Sequence, residues 1–307
     1  MSKIGSKDAH HSKKEFTFNV HRDMSDEEYE EVSDEEKLQI AQHFLLSSPP
    51  GQFDEVLADV KKLLPPSLIS PEMLTGIARA YNTRHSALVT VGDKVMPICK
   101  EAEIDATKYV DSVSKKMVKV DHTKWTGTVV EDKPLPPTAF DASLESKRTA
   151  ILSAVETYVT KHFGGGRAAC GVYSKEGKIT VVISGDKVNL KNFWSGAWHS
   201  TWTLESGELS GVAKLKAHYF EEGNVQLQTT KEFPKVAIGG GDDEAIGKAV
   251  AEEIFKAEQA LQMALGAMYI NMSEETLKSM RRVMPFTRSK MEWNLQAHKM
   301  VKQLHSK

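Results

Sequence analysis

The sequence predicts an α+β protein, and three patterns in different parts of the chain lead to this class. Apolar residues at helical spacing, separated by proline-rich turns, fill residues 33–81. Period-two alternation begins at Ala168, and a long helical pattern runs from Ile246 to Met272. We therefore predict an N-terminal antiparallel helical layer, an antiparallel β-sheet meander, a long helix packed over the sheet and an amphipathic C-terminal helix.

Composition is typical of a globular protein that does not cross a membrane. The 307 residues have a net charge of -2 and no run of 18 apolar residues, and the first residues lack the apolar segment of a secretory signal. The two cysteines, Cys99 and Cys170, form no CxxC motif, so neither a disulfide framework nor a zinc site is predicted. A reducing, cytoplasmic location is expected.

The N-terminal third is predicted to begin with an extension and continue as three helices. Residues 1–32 are polar and aperiodic, and we expect them to be disordered. A capping box of Ser33 and Glu36 predicts the start of the first helix, which should end at the Pro49-Pro50-Gly51 turn. The second helix begins near Phe53, and the third opens at Ser70-Pro71. Residues 33–81 are thus one predicted helical unit.

The central region is predicted from 82 to 276. Its first part shows only two short β-like pieces, near 87–91 and 116–120, and residues 132–137 read as a linker. A helix over 140–162 and five hairpin-linked strands should follow. The five strands are predicted at 168–174, 179–184, 197–204, 211–220 and 224–230.

Two further features of the sequence concern the packing of the sheet and of the long helix. Trp194, Trp198 and Trp202 share one parity, so a strand would place them on one face of the sheet. The final helix should be about 40 Å long, which suggests packing on more than one subunit. A long helix that covers only its own sheet remains the alternative.

No motif in the sequence matches a known catalytic or nucleotide-binding pattern. GGGDDEAIGKA (239–249) has the wrong spacing for a phosphate-binding loop, and its acids fit a helix N-terminus better. The eleven histidines form no HExxH motif and no metal-ligand spacing with a cysteine. Cys170 is interpreted as a buried strand residue rather than a nucleophile. We therefore predict a binding protein without enzymatic activity, cofactor or metal.

The remaining signal is the basic segment 277–307. Five cations fall within thirteen residues, and Pro285 interrupts them. An amphipathic helix pattern follows, which favours a protein groove or a membrane surface; docking on the chain's own body is the alternative. The cations are Lys278, Arg281, Arg282, Arg288 and Lys290, and the apolar stripe is Trp293, Ala297, Met300, Val301 and Leu304.

Several motifs resemble the alpha subunit family of F-actin capping proteins. AHYFEEGNV (217–225) is similar to a family signature that reads roughly V-H-[FY]-[FY]-E-D-G-N-V. LKSMRRVMP (277–285), followed by FTR, is similar to a second signature, F-K-x-x-R-R-x-L-P. SDEEK (33–37), PPGQF (49–53) and KNFWSGAW (191–198) match in the same order. Ala217, Leu277, Met284 and Phe286 depart from the usual family residues, but all four are apolar.

The resemblance implies a fold and a function. It implies a helical stalk, a sheet crossed by a long helix, and a C-terminal tentacle. It also implies an obligate heterodimer with a beta subunit that binds the barbed end of actin filaments, independently of calcium, and blocks subunit addition and loss. The cations before the tentacle, and then its apolar stripe, would contact actin. Phosphoinositides would compete for the same cations, and the chain would work in the cytoplasm on the actin cytoskeleton.

Two other readings stay open at this point. The basic amphipathic end fits a membrane- or phosphoinositide-binding module. A divergent alpha chain that caps weakly is also compatible with the motifs. Nucleic acid is not an expected partner, because no RNA-binding fingerprint accompanies the basic residues.

Overall fold

The computed structural model describes residues 32–131, 134–221 and 223–276, which form five α-helices and ten β-strands. The helices are α1 (Asp34–Ser47), α2 (Phe53–Leu63), α3 (Pro71–His85), α4 (Glu145–His162) and α5 (Asp243–Asn271). The strands are β1 (Leu88–Val91), β2 (Lys94–Pro97), β3 (Lys108–Asp111), β4 (Lys116–Asp121), β5 (Thr126–Val130), β6 (Arg167–Lys175), β7 (Lys178–Asn189), β8 (Trp194–Glu205), β9 (Glu208–Tyr219) and β10 (Val225–Ala237). The predicted α+β class is confirmed.

Helices α1, α2 and α3 form the predicted helical layer. The capping box is present: the Ser33 hydroxyl accepts a bond from the Glu36 amide at 3.3 Å, and the Glu36 carboxylate accepts one from the Ser33 amide at 3.0 Å. Leu45, Phe53 and Tyr81 are buried in the centre of the layer. These apolar residues hold the three helices together.

A five-stranded sheet, formed by residues that lie between the helical layer and the meander in the chain, is the main feature that the sequence did not predict. Its strand order is β2-β1-β5-β4-β3, with β1 and β5 parallel and the other pairs antiparallel. Only β1 and β4 were predicted. The five strands are only four to six residues long, so the alternation in each one is too brief to distinguish from a turn.

The predicted meander is confirmed as a second five-stranded antiparallel sheet, in the order β10-β9-β8-β7-β6. Trp198 and Trp202 are buried, and Trp194 is half-buried. Helices α4 and α5 cover one face, where Val155, Val181 and Ile254 belong to a single core. The opposite face of β6 and β7 contributes Tyr173 and Val182 to a core shared with the first sheet.

Arg148 on α4 connects the two sheets through hydrogen bonds. Its side chain is fully buried, and its guanidinium donates to the carbonyl oxygens of Ser112, after β3, and Val172, on β6, at 3.2 and 3.1 Å. It also pairs with Glu145 at 2.8 Å, and this pair, assisted by Lys115, lowers the pKa of Glu145 to about 2. A buried charge requires such complete pairing.

Among the described residues, no helix is both long enough and apolar enough to cross a membrane.

Candidate interaction surface

The ten residues predicted from the basic segment all lie outside the described residues. They are Lys278, Arg281, Arg282, Arg288, Lys290, Trp293, Ala297, Met300, Val301 and Leu304. The described chain reaches Thr276 through a π-helical turn, Met272–Thr276, that continues directly from α5. The basic segment therefore begins directly after this turn in the sequence.

The first half of α5 packs on the molecule's own core. Asp242 caps the helix by accepting a bond from the Ala245 amide at 2.7 Å, which confirms the interpretation of the acids in GGGDDE. Val250 and Ile254 are fully buried. Gly247 lies so close to α4 that a Cβ atom there would be 2.7 Å from the carbonyl oxygen of Ala150. These contacts fix the direction of the helix.

The second half of α5 is exposed. From residue 259 onward no position of the helix is fully buried, and Met263 and Tyr269 are 71% and 66% exposed. Leu261 and Leu265 are only half-buried. A helix of 29 residues is about 44 Å long, and its last third carries apolar side chains that its own sheet does not cover.

Strand β10 provides a second uncovered feature. Within the described parts of the chain it pairs only with β9, so its outer edge is open along the sheet. Val225 is 59% exposed. A register shift between Phe233 and Val236, at Pro234, interrupts the strand, so the regular edge runs over 225–233. We call this edge together with residues 259–271 of α5 the pairing surface.

Three of the sequence motifs meet at a polar cluster between the start of α2 and the second sheet, and Gln52, Ser195 and His218 of this cluster are buried. The Gln52 amide donates to the Ser195 hydroxyl at 3.1 Å and to the His218 Nδ1 atom at 2.7 Å. Because Nδ1 accepts, the proton lies on His218 Nε2, which donates to the Asn224 Oδ1 atom at 3.1 Å. We call these four residues the motif joint.

Backbone geometry around the motif joint explains further motif residues. Gly51 has φ +75°, and a Cβ atom there would lie 2.7 Å from a methyl carbon of Val188, so both conformation and space require glycine. The Phe193 carbonyl accepts a bond from the Phe220 amide at 2.9 Å, and the two rings make an edge contact at 5.6 Å. The motifs PPGQF, KNFWSGAW and AHYFEEGNV therefore build one structural junction.

Replacing Gln52 with alanine is expected to lower the free energy of unfolding by about 1–3 kcal/mol, because Ser195 and His218 would lose a buried partner. Urea unfolding of the purified protein measures this change. Gln39→Ala, on the exposed side of α1, is the matched control and should change stability by less than about 0.5 kcal/mol. Equal effects of the two substitutions would contradict a structural role for the joint.

A second buried polar cluster centres on Glu258 of α5. The carboxylate is fully buried and accepts bonds from Ser200 Oγ at 2.5 Å, Tyr158 Oη at 2.6 Å and Trp202 Nε1 at 3.3 Å. Burial raises the pKa of Glu258, and these hydrogen bonds oppose the shift only in part. The cluster joins α5 to α4 and to β8.

The described residues contain no group of three or more side chains placed to hold a metal ion. Cys170 lies buried on β6, as predicted, and burial raises the pKa of its thiol to about 12. A thiol with this pKa is almost entirely protonated at neutral pH and is a poor nucleophile.

The motif joint and Arg148 were not identified from the sequence as interacting groups. Glu258 could have been found, because an acid at the fourth position after Ile254 interrupts the apolar stripe of α5. No local signal links Gln52 to His218, which are 166 residues apart.

The chain is similar over most of its length to known proteins. The family model described as F-actin capping protein alpha subunit matches residues 41–303. An F-actin-capping protein subunit alpha from Caenorhabditis elegans is 32% identical over 86% of this chain and 95% of its own length. One from Dictyostelium discoideum is 33% identical over 85% of this chain and 95% of its own length.

The fold also matches a solved structure. The homodimeric actin capping protein alpha subunit from Plasmodium berghei superposes with a TM-score of 0.62 at 23% identity. The match covers 76% of this chain and 92% of that one.

Proposed function

Since the chain belongs to the F-actin capping protein alpha subunit family, we propose that it is one subunit of a dimer that caps the barbed end of actin filaments. The dimer blocks subunit addition and loss, and it does so independently of calcium. The proposal assigns no chemical reaction to the chain, and its place of action is the cytoplasmic actin cytoskeleton.

The observation that supports this proposal most directly is the extent of the family match. It runs from residue 41 to residue 303, so it includes all five cations and every residue of the amphipathic stripe except Leu304. A match limited to the sheet would support the fold but would leave the predicted actin-contacting residues without a counterpart.

In this proposal the basic segment makes the first contact with actin. The cations from Lys278 to Lys290 steer the dimer to an acidic surface of the filament end, because long-range attraction raises the association rate. The amphipathic stripe from Trp293 to Leu304 then binds an apolar groove of actin. Both elements follow α5 in the sequence.

The pairing surface is the proposed contact with the second subunit, which we propose to be a capping protein beta subunit. An open strand edge supplies backbone donors and acceptors for a strand of another chain. The exposed apolar residues of α5, such as Met263 and Tyr269, supply the area that a stable dimer buries.

Elongation of actin from filament seeds that expose both ends tests the function. We expect the chain, co-purified with its beta partner, to arrest barbed-end growth at concentrations far below that of actin, with and without a calcium chelator. Arrest by the chain alone would indicate a homodimer. A folded pair that leaves barbed-end growth unchanged would overturn the proposal.

The cations of the basic segment also support phosphoinositide binding as a regulatory interaction of the same segment. In the elongation assay, vesicles that contain phosphatidylinositol 4,5-bisphosphate should release capping, whereas vesicles of phosphatidylcholine should not. Insensitivity to both would remove the lipid from the proposal without affecting the capping function.

A further inference from the structure

A cavity of about 430 Å³ lies between the helical layer and the face of the second sheet that α4 and α5 leave free. Helix α3 and the α1–α2 turn form one wall, and strands β7 to β10 form the other. Its volume is in the lower part of the range of small-molecule pockets. Residues 228–230 of β10, which belong to the pairing surface, form part of its wall.

Positive charge is concentrated in this cavity. Arg84 on α3 and Lys214 and Lys216 on β9 line it, and none of the three forms an ion pair with any described residue. Two carboxylates also line it, but Asp186 already pairs with Arg167 at 2.6 Å and Asp54 is exposed. The uncompensated charge of the cavity is therefore positive.

The cations also repel one another. Burial lowers the pKa of Lys216, and the charges of Arg84 and Lys214 lower it further. Burial lowers the pKa of His85, and the charges of Lys216, Arg84 and Lys214 lower it further, to about 4. His85, which lines the cavity, is therefore neutral at pH 7. The fold thus holds like charges together at a cost that a bound anion would offset.

Apolar and hydrogen-bonding groups complete the cavity. Three aromatic rings, those of Phe53, Tyr81 and Trp125, form a cluster on its helical side. The ring centroid of Phe53 lies 5.0 Å from that of Tyr81 and 5.5 Å from that of Trp125. On the sheet side, His199 contacts the hydroxyls of Ser86 and Ser184 at 3.2 and 3.3 Å. A charged rim with an aromatic wall is the arrangement that binds an organic anion.

We propose that this cavity binds a small organic anion, phosphate- or carboxylate-bearing, whose charge is held by Arg84, Lys214 and Lys216. The anion contacts both the helical layer and the second sheet, and binding therefore stabilises their relative position. The inference does not depend on filament capping, since the three cations that hold the anion belong neither to the residues assigned to actin nor to the pairing surface.

Isothermal titration of the full chain, in the oligomeric form in which it purifies, tests the site. Pyrophosphate and citrate are the two probes, at constant ionic strength maintained with sodium chloride. We expect saturable binding of one or both at one site per chain, and the preferred probe identifies the phosphate or carboxylate class. The Lys214→Gln/Lys216→Gln variant should bind at least about tenfold more weakly, as for charge-assisted contacts.

Lys119→Gln is the matched control, because Lys119 is exposed on β4 and also forms no ion pair with a described residue. Its affinity should be unchanged. Absence of saturable binding for both probes would overturn the proposal, and so would equal weakening by Lys119→Gln.

A stability measurement distinguishes a binding site from a structural charge cluster. Without ligand, Lys216→Gln should raise the melting temperature by about 1–3 °C, because it removes repulsion from a half-buried site. The probe that binds wild type should raise its melting temperature and not that of the variant. A lower melting temperature of the unliganded variant would mean that Lys216 supports the fold, and would overturn the inference. If the double variant is unfolded, the single substitution of the exposed Lys214 is titrated in its place, with the same criteria.

Discussion

Replacing Glu258 with alanine is expected to lower the free energy of unfolding by about 2–4 kcal/mol. The substitution leaves Ser200, Tyr158 and Trp202 without the acceptor that each one now contacts, and it opens a cavity between α5 and β8. Chemical unfolding followed by circular dichroism measures the loss.

Glu252→Ala is the matched control on the same helix, because the Glu252 side chain is 66% exposed. Its pair with Lys256 is a surface ion pair, so we expect a change below about 0.5 kcal/mol. A Glu258→Ala variant as stable as this control would show that the buried cluster is dispensable.

The pH dependence of stability separates the charge of Glu258 from its hydrogen bonds. Its pKa is raised on folding, so the native state holds the proton more tightly than the unfolded state. The native state is then favoured at low pH, and stability falls as the pH rises above 4.5. Glu258→Gln cannot titrate, so the stability of wild type relative to this variant should fall over the same range. A constant difference from pH 4 to pH 8 would contradict a raised pKa.

Reversing three cations of the basic segment, in Lys278→Glu/Arg282→Glu/Arg288→Glu, should weaken barbed-end capping by about 100-fold or more. Loss of steering lowers the association rate, and repulsion from an acidic actin surface raises the dissociation rate. Elongation from filament seeds at several concentrations of the dimer gives the affinity. Circular dichroism and gel filtration of the dimer confirm that folding and pairing are intact.

A second triple variant keeps the same change in net charge. Lys61→Glu/Lys100→Glu/Lys119→Glu alters three exposed lysines of the helical layer and the first sheet. It should cap with an affinity within a few-fold of wild type, because its charges are not at the proposed contact. Full capping by the first variant, or equal losses in both, would remove the basic segment from the binding mechanism.

Regular elements were predictable where a periodic pattern is long. The meander strands have nine to thirteen residues and α5 has 29, and each pattern was recognised. The first sheet was missed because its longest strand has six residues. In this sheet β1 pairs in parallel with β5. Parallel strands are not linked by a hairpin turn, so no turn signal in the sequence predicts this pairing.

The interactions that fix the layers could not be predicted in the same way. Arg148 donates to the backbone carbonyl oxygens of Ser112 and Val172. Because every residue has such an oxygen, the residue type of a partner gives no signal in the sequence. For the basic segment, by contrast, residue type alone was informative. Charge and apolar spacing predicted its binding chemistry from the sequence, and its ten residues stay a prediction.

The motif joint has a consequence for how the chain is made. Gln52 and His218 are separated by 166 residues, and at about 5–20 residues per second the ribosome needs roughly 10–30 seconds to travel from one to the other. Helices α1 and α2 therefore leave the ribosome well before the strand that receives them. Gln52 therefore has no protein partner at the joint until Ser195 on β8 has been translated, and its contact with His218 forms only after β9 has followed.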